Sequence, residues 1–258
     1  MEKTLSEHEA WFREYAAEMR ARETEAPGPM DLKVEHTIAV LERARRIADA
    51  SLPKRLHRAA YLAALYHDIA RFEQYLKWHT FKDAASVNHA LLGARLLKEL
   101  HCLDMENAAT RGLVRAAVAL HNRYAVPANV EADVCLVTYV VRDADKLDIL
   151  RVMDKYFSGT EKDGTVVLNV KDEPDKVSPS VVHAALSGNI AKYSDLRYEN
   201  DFRILLGTWI HDLHYPVSRR MAAEEGHMRS VLSGLPSSSQ FECVREALLR
   251  QLEMNSRE

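Results

Sequence analysis

The stretch Ala60-Tyr61-Leu62-Ala63-Ala64-Leu65-Tyr66-His67-Asp68-Ile69-Ala70 decides how this chain is read. It is apolar almost throughout, holds neither Gly nor Pro, and consists mostly of helix formers. Pro53 stands where a helix start tolerates it. Leu56, Ala60, Ala63 and Ala64 carry the apolar spacing on to Ile69. A helix buried this thoroughly accepts an ionised carboxylate only if that group is paired or holds a metal. His67-Asp68 therefore points to chemistry inside the core; the plainer alternative is a buried histidine oriented by its neighbour, without metal.

The same pattern recurs on either side. His36 lies in the run Lys33–Val40, His89 in Ser86–Ala94 and Asp145 in Tyr139–Asp148, while His121 ends the run Ala116–Leu120. Imidazole and carboxylate together are typical ligands of divalent transition metals. Each has a plainer reading: helix-surface polarity for His36 and Asp145, a helix start for His89, a helix end for His121.

Helical periodicity dominates the rest. Ser6 with Glu9 forms a capping-box pattern before Trp11, Phe12, Tyr15 and Met19, and Pro27-Gly28-Pro29 breaks that helix. Further helices are expected over about 31–50, 53–69, from a Ser86 cap through Leu97, 106–120, 131–156, 179–188, 201–212, 218–232 and 239–254. The segment 158–178 differs, with Gly159, Gly164, Pro174 and a β-like run Val166–Val170. It is expected to be an irregular excursion or a small hairpin. The fold class is all-α, with about ten helices in one domain over 1–258. Its core would be 31–156, its insertion 158–178, and its C-terminal helices, 179–258, would pack on the first bundle.

Composition bounds the function. The chain has 258 residues, 47% hydrophobic and 28% charged, ordinary for a soluble globule. Lys+Arg 35 against Asp+Glu 38 gives no strong nucleic-acid signal. No apolar run reaches membrane-spanning length, and the N-terminal MEKTLSEHEAWFREY lacks a signal core. Cys102, Cys135 and Cys243 are widely spaced, which fits a reducing compartment and a cytoplasmic location.

In the order His36, His67-Asp68, Asp145, the chain resembles the HD-domain superfamily of metal-dependent phosphohydrolases. It bears a closer likeness to a group of uncharacterised bacterial members through His67-Asp68-Ile69-Ala70-Arg71-Phe72-Glu73-Gln74 and Thr80–His89. The likeness covers about Val34 to Leu150, and more weakly the region Trp209–Leu213. It implies a helical HD bundle in which His36, His67, Asp68 and Asp145 hold one divalent metal: Mn, Fe, Ni, Zn or, less suited, Mg. His89 and His121 match the positions that hold a second ion in some members, with Asp68 bridging the two. The most strongly binuclear relatives have a further His where this chain has Asn122, which bears on the occupancy of that second site. The resemblance also implies a catalytic role for Asp68 as ligand and for Arg71 as a phosphate contact, against a solvated arginine at a helix end.

Other residues stay open at this level. Asp148 either orients a ligand histidine or pairs with Arg151. Asp83 either anchors a loop above the metals or caps a turn. Arg142 and Lys146 face substrate or, in the favoured reading, solvent. His211-Asp212 is a second doublet, favoured for packing or substrate contact over coordination. Tyr193, Arg197 and Tyr215 are candidates for a nucleotide pocket. The implied activity is hydrolysis of a small phosphate ester or nucleotide by a metal-activated water. The alternatives are a di-iron oxygenase on the same core, or a non-catalytic metal- or nucleotide-binding protein. The expected partner is a small phosphorylated molecule, with no membrane, and the sequence leaves the oligomeric state open.

Overall fold

A computed structural model of the chain describes residues 3–159 and 170–256. Among them are twelve α-helices, and the only β feature is an isolated bridge between Lys171 and Tyr198. The fold is thus all-α, as the periodicity predicts. The expected β-like run Val166–Val170 lies, apart from Val170, outside the described residues. The helices form two compact units that divide between Asp145 and Lys146.

The first unit contains α1 (Leu5–Arg22), α2 (Gly28–Ser51), α3 (Lys54–Tyr66), α4 (Ala70–Trp78), α5 (His89–Glu99), α6 (Ala108–Leu120) and the first half of α7 (Ala132–Ser158). Helix α3 is its axis and packs against α1, α2 and α6. Leu62, Ala63, Ala64, Leu65 and Tyr66 are fully buried in succession. Each buried leucine stabilises the unit by about 1.5–3 kcal/mol. Tyr66 can bury its hydroxyl because His8 Nδ1 meets it at 2.8 Å, while His8 Nε2 meets Glu106 Oε1 at 3.0 Å. Arg58 completes that network, its Nε donating to Glu106 Oε2 at 2.6 Å.

Several boundaries move, each for a local reason. The box that caps α1 is Thr4 with Glu7, two residues before Ser6 and Glu9, because Thr4 takes the extended backbone a cap requires. Helix α3 stops at Tyr66 and does not run to Ile69. At its end the His67 ring occupies the Ala64 carbonyl, 2.7 Å from Nδ1, and so shares the acceptor that a continuing turn would use. A separate helix, α4, follows; its buried positions are Ala70, Phe72, Gln74 and Tyr75, too mixed to read as an apolar stripe. The cap of α5 is Asn88, which accepts from the Leu91 amide at 3.0 Å, rather than Ser86, whose hydroxyl donates to the Lys82 carbonyl.

The second unit contains the rest of α7, α8 (Pro179–Leu186), α9 (Glu199–Thr208), a 3-10 turn at Trp209–His211, α10 (Pro216–Glu225), α11 (His227–Ser233) and α12 (Ser239–Asn255). Helix α9 packs against α8, α11 and α12. A Cβ on Gly207 would lie 2.7 Å from Leu248 and 2.9 Å from Leu232, so only glycine admits those leucines. Buried Asp201 accepts from the amide and hydroxyl of Ser178, both at 2.7 Å, and so ties the starts of α8 and α9 together. The single helix expected over 218–232 is two, because Gly226 takes the left-handed conformation at φ 75°.

Candidate metal centre

Six of the sequence-predicted residues meet in the first unit. His36 comes from α2, His67 and Asp68 from the turn between α3 and α4, His89 from the first residue of α5, His121 from the end of α6, and Asp145 from α7. They form two clusters: His36, His67 and Asp145, and Asp68, His89 and His121. Within each, one ligand atom per residue lies within 4.8 Å of the others.

Asp68 connects the clusters. Its Oδ2 is 3.7 Å from His67 Nε2 and 3.9 Å from His36 Nε2. Its Oδ1 is 3.5 Å from His89 Nε2 and 3.9 Å from His121 Nε2. Asp145 Oδ1 closes the first cluster, 3.1 Å from His36 Nε2 and 3.7 Å from His67 Nε2. One carboxylate oxygen therefore faces each set of imidazoles.

Local structure fixes the proton on three of the rings. His67 Nδ1 lies 2.7 Å from the Ala64 carbonyl and His121 Nδ1 lies 2.8 Å from the Val118 carbonyl. A carbonyl only accepts, so each Nδ1 carries the hydrogen and each Nε2 presents a lone pair. The same device, a histidine reaching back three residues at a helix end, thus aims both rings inward. His89 Nδ1 donates to the Asp83 carboxylate at 2.7 and 2.9 Å, which again leaves Nε2 as the lone pair.

These lone pairs test whether a metal fits. His67 Nε2 is buried and meets no hydrogen-bond donor. Buried polar atoms are nearly always satisfied, and such an exception calls for a missing partner. Three inward lone pairs and two carboxylates form the donor set of a divalent transition metal. The residues fit the ion in both clusters.

Electrostatics agree. Burial opposes ionisation of Asp68, but Lys33, His67, Arg71 and His89 outweigh it and hold the carboxyl well below its usual range. Burial likewise opposes ionisation of Asp145, but His36 and His67 beside it hold its carboxyl well below the usual range. Burial, then the neighbouring His89 and His67, push His121 down to about 3, so its ring is neutral near pH 7. Burial also lowers His89. All these groups are thus in the protonation state a metal requires.

The surrounding residues resolve several open readings. Asp83 anchors the site: besides His89 it accepts from Arg71 Nη1 at 3.0 Å, Gln74 Nε2 at 3.0 Å and Asn122 Nδ2 at 3.1 Å. Asn122 therefore supports the second cluster through Asp83. Arg71 sits against Asp68, its Nε 3.3 Å from Oδ1, while its Nη1 also donates to Gln74 and to the Phe81 carbonyl. Arg142 does not face solvent. It is buried and donates to the His121 carbonyl at 3.0 Å, the Tyr124 carbonyl at 3.3 Å and the Arg123 carbonyl. It thereby caps α6 beneath His121.

In the second unit, Asp148 pairs with Arg151 at 2.7 Å, and Lys146 with Asp212 at 2.9 Å rather than with solvent. His211 joins neither metal cluster among the described residues. Of the suggested pocket residues, Tyr193 is exposed, Tyr215 is buried, and Arg197 donates to the carbonyls of Ser194 and Leu196. Sequence reasoning missed Lys33, whose Nζ is 2.7 Å from Asp68 Oδ2. The available signal was its place one helical turn before His36.

Among the described residues, no helix is long and apolar enough to cross a membrane. No curated protein and no solved structure matches the chain at a significant level. The profile of the HD domain does match, over residues 34–150, from two residues before His36 to five past Asp145. That span holds every member of both clusters, so the stretch that is similar to the HD domain is the one in which the ordered histidines and aspartates converge.

Proposed function

We propose that the chain is a metal-dependent phosphohydrolase that cleaves a small phosphate ester or nucleotide through a metal-activated water. The observation that carries this reading is the split of Asp68 between two imidazole clusters, one oxygen towards each. His36, His67, Asp145 and Asp68 Oδ2 would hold the first ion, and His89, His121 and Asp68 Oδ1 the second. Bound there, a divalent metal supplies a water that ionises near neutral pH and a positive charge for phosphoryl oxygens.

The protein's own residues do the rest. The Ala64 and Val118 carbonyls and the Asp83 carboxylate fix three imidazole tautomers, so the donors need no rearrangement. Asp83 in turn is held by Arg71, Gln74 and Asn122. Arg71 keeps a permanent positive charge beside Asp68, which offsets charge on the transferring phosphoryl group. Asp145 keeps a side-chain exposure of 21%, so the first cluster has an open edge for substrate.

The test is phosphate release from a panel of phosphomonoesters, cyclic nucleotides, nucleoside triphosphates and alarmones, each with Mn, Ni, Co and Mg. Turnover of at least one member that Asp68→Ala abolishes supports the reading. Turnover that survives Asp68→Ala overturns it. A fully metallated protein inert to the whole panel would favour the oxygenase or the binding protein instead.

A further inference from the structure

Two cations flank Asp68, and they are held very differently. Arg71 spends its Nη1 on Gln74, Phe81 and Asp83 and its Nε on Asp68. Lys33 has one hydrogen-bond acceptor among the described residues, Asp68 Oδ2 at 2.7 Å. An ammonium has three donor hydrogens, so two remain to be used. The Lys33 side chain is 18% exposed against 4% for Asp68, which puts its charge at the rim of the cluster. Its Nζ lies 5.3 Å from the centre of the Phe81 ring, a contact that suits a cation.

The charge balance gives this ammonium a task. Asp68 pairs with Lys33 and Arg71, Asp83 pairs with Arg71, and Asp145 lies against His36; three carboxylates against two cations leave one net negative charge. One divalent ion makes the cluster positive, so an anion is welcome only after the metal has bound. Before that, Lys33 occupies the carboxylate oxygen that the metal must share.

We propose that Lys33 is the side chain that grips the substrate's phosphate, bridging Asp68 and a non-bridging phosphate oxygen. It weakens metal binding by its charge and strengthens phosphate binding by its free donors. Arg71, whose Nε and Nη1 are already engaged, acts through its charge, so the two metal clusters and Lys33 are the three points for direct contact, which match the three non-bridging oxygens of a phosphomonoester better than the two of a diester. This rests on the phosphohydrolase reading above and names its substrate class.

The test is calorimetry on full-length wild type, Lys33→Met and Lys33→Arg, titrated first with Mn and then with inorganic phosphate or dimethyl phosphate. In Lys33→Met, Mn affinity should rise a few-fold, and phosphate affinity of the Mn-loaded protein should fall about tenfold or more. Lys33→Arg should keep most of the phosphate affinity. Wild type should bind dimethyl phosphate about tenfold more weakly than phosphate. A structural role alone would lower both Mn and phosphate affinity together, and that result overturns the proposal. So does unchanged phosphate binding in Lys33→Met, or equal affinity for the two anions. A wild type that binds no Mn would instead remove the phosphohydrolase reading on which the proposal stands.

Discussion

The Nε2 atoms of His89 and His121 face each other at 3.1 Å, and each ring spends its Nδ1 hydrogen elsewhere. Two lone pairs at that distance repel unless a cation lies beside both. Replacing both rings with alanine should remove one ion per chain and leave the ion held by His36, His67 and Asp145. Elemental analysis after Mn loading and gel filtration checks this. Unchanged stoichiometry would mean that these rings hold no metal.

Asp83 acts on the second ion only through His89 and its donors. Asp83→Ala should weaken that ion by about 10–100-fold, while the first ion changes little. A Mn titration resolved into two classes of site reads both affinities. Equal weakening of the two sites would show a general collapse of the loop and not the loss of one orienting bond.

Stability of the metal-free protein should depend on pH through His121. Burial lowers its folded value to about 3, against an ordinary 6.5, so the unfolded chain binds the proton first. Its contribution is therefore complete above 6.5 and is lost as pH falls from there towards 3. At full engagement one such group changes unfolding free energy by about 1.4 kcal/mol per pH unit. Urea titrations at several pH values should show a shallower slope in His121→Asn than in wild type. Equal slopes would mean that the buried ring is not held neutral.

Arg142 satisfies the carbonyl end of α6 from within the core. Arg142→Met keeps the packing volume but leaves those carbonyls without their donor, and should cost about 2–3 kcal/mol. The same variant should weaken the second ion, because His121 is the last ligand before that cap. Urea unfolding and Mn titration check the two parts. A change below about 0.5 kcal/mol would mean that other donors replace the guanidinium.

Much of this site is legible in the sequence because its residues violate the pattern around them. His36, His67, Asp68 and Asp145 are polar groups in apolar helical runs, and burial makes such groups costly without a shared purpose. The all-α class follows from the same periodicity. Lys33, Asp83 and Arg142 are harder to read, because charged residues in turns and along helices are ordinary on surfaces. Only folding shows that Arg142 points inward or that Asp83 gathers donors from α4, α5 and the end of α6. Helix α4 is hidden for a related reason, since the buried Gln74 breaks the apolar stripe by which a helix is recognised. Asn122 reads as a lost ligand, yet it braces Asp83, a role that depends on a turn 39 residues away in sequence.

The central claim is that Asp68 belongs to both clusters at once, and metal stoichiometry of one variant tests it most directly. Chelator-treated wild type should take up about two Mn ions per chain, the second through His89 and His121. Asp68→Ala should lose tight binding at both sites together, unlike the double histidine variant, which should lose one. Asp68→Ala protein that still binds as many ions as wild type would contradict the account, as would wild type holding less than about 0.1 ion per chain after loading.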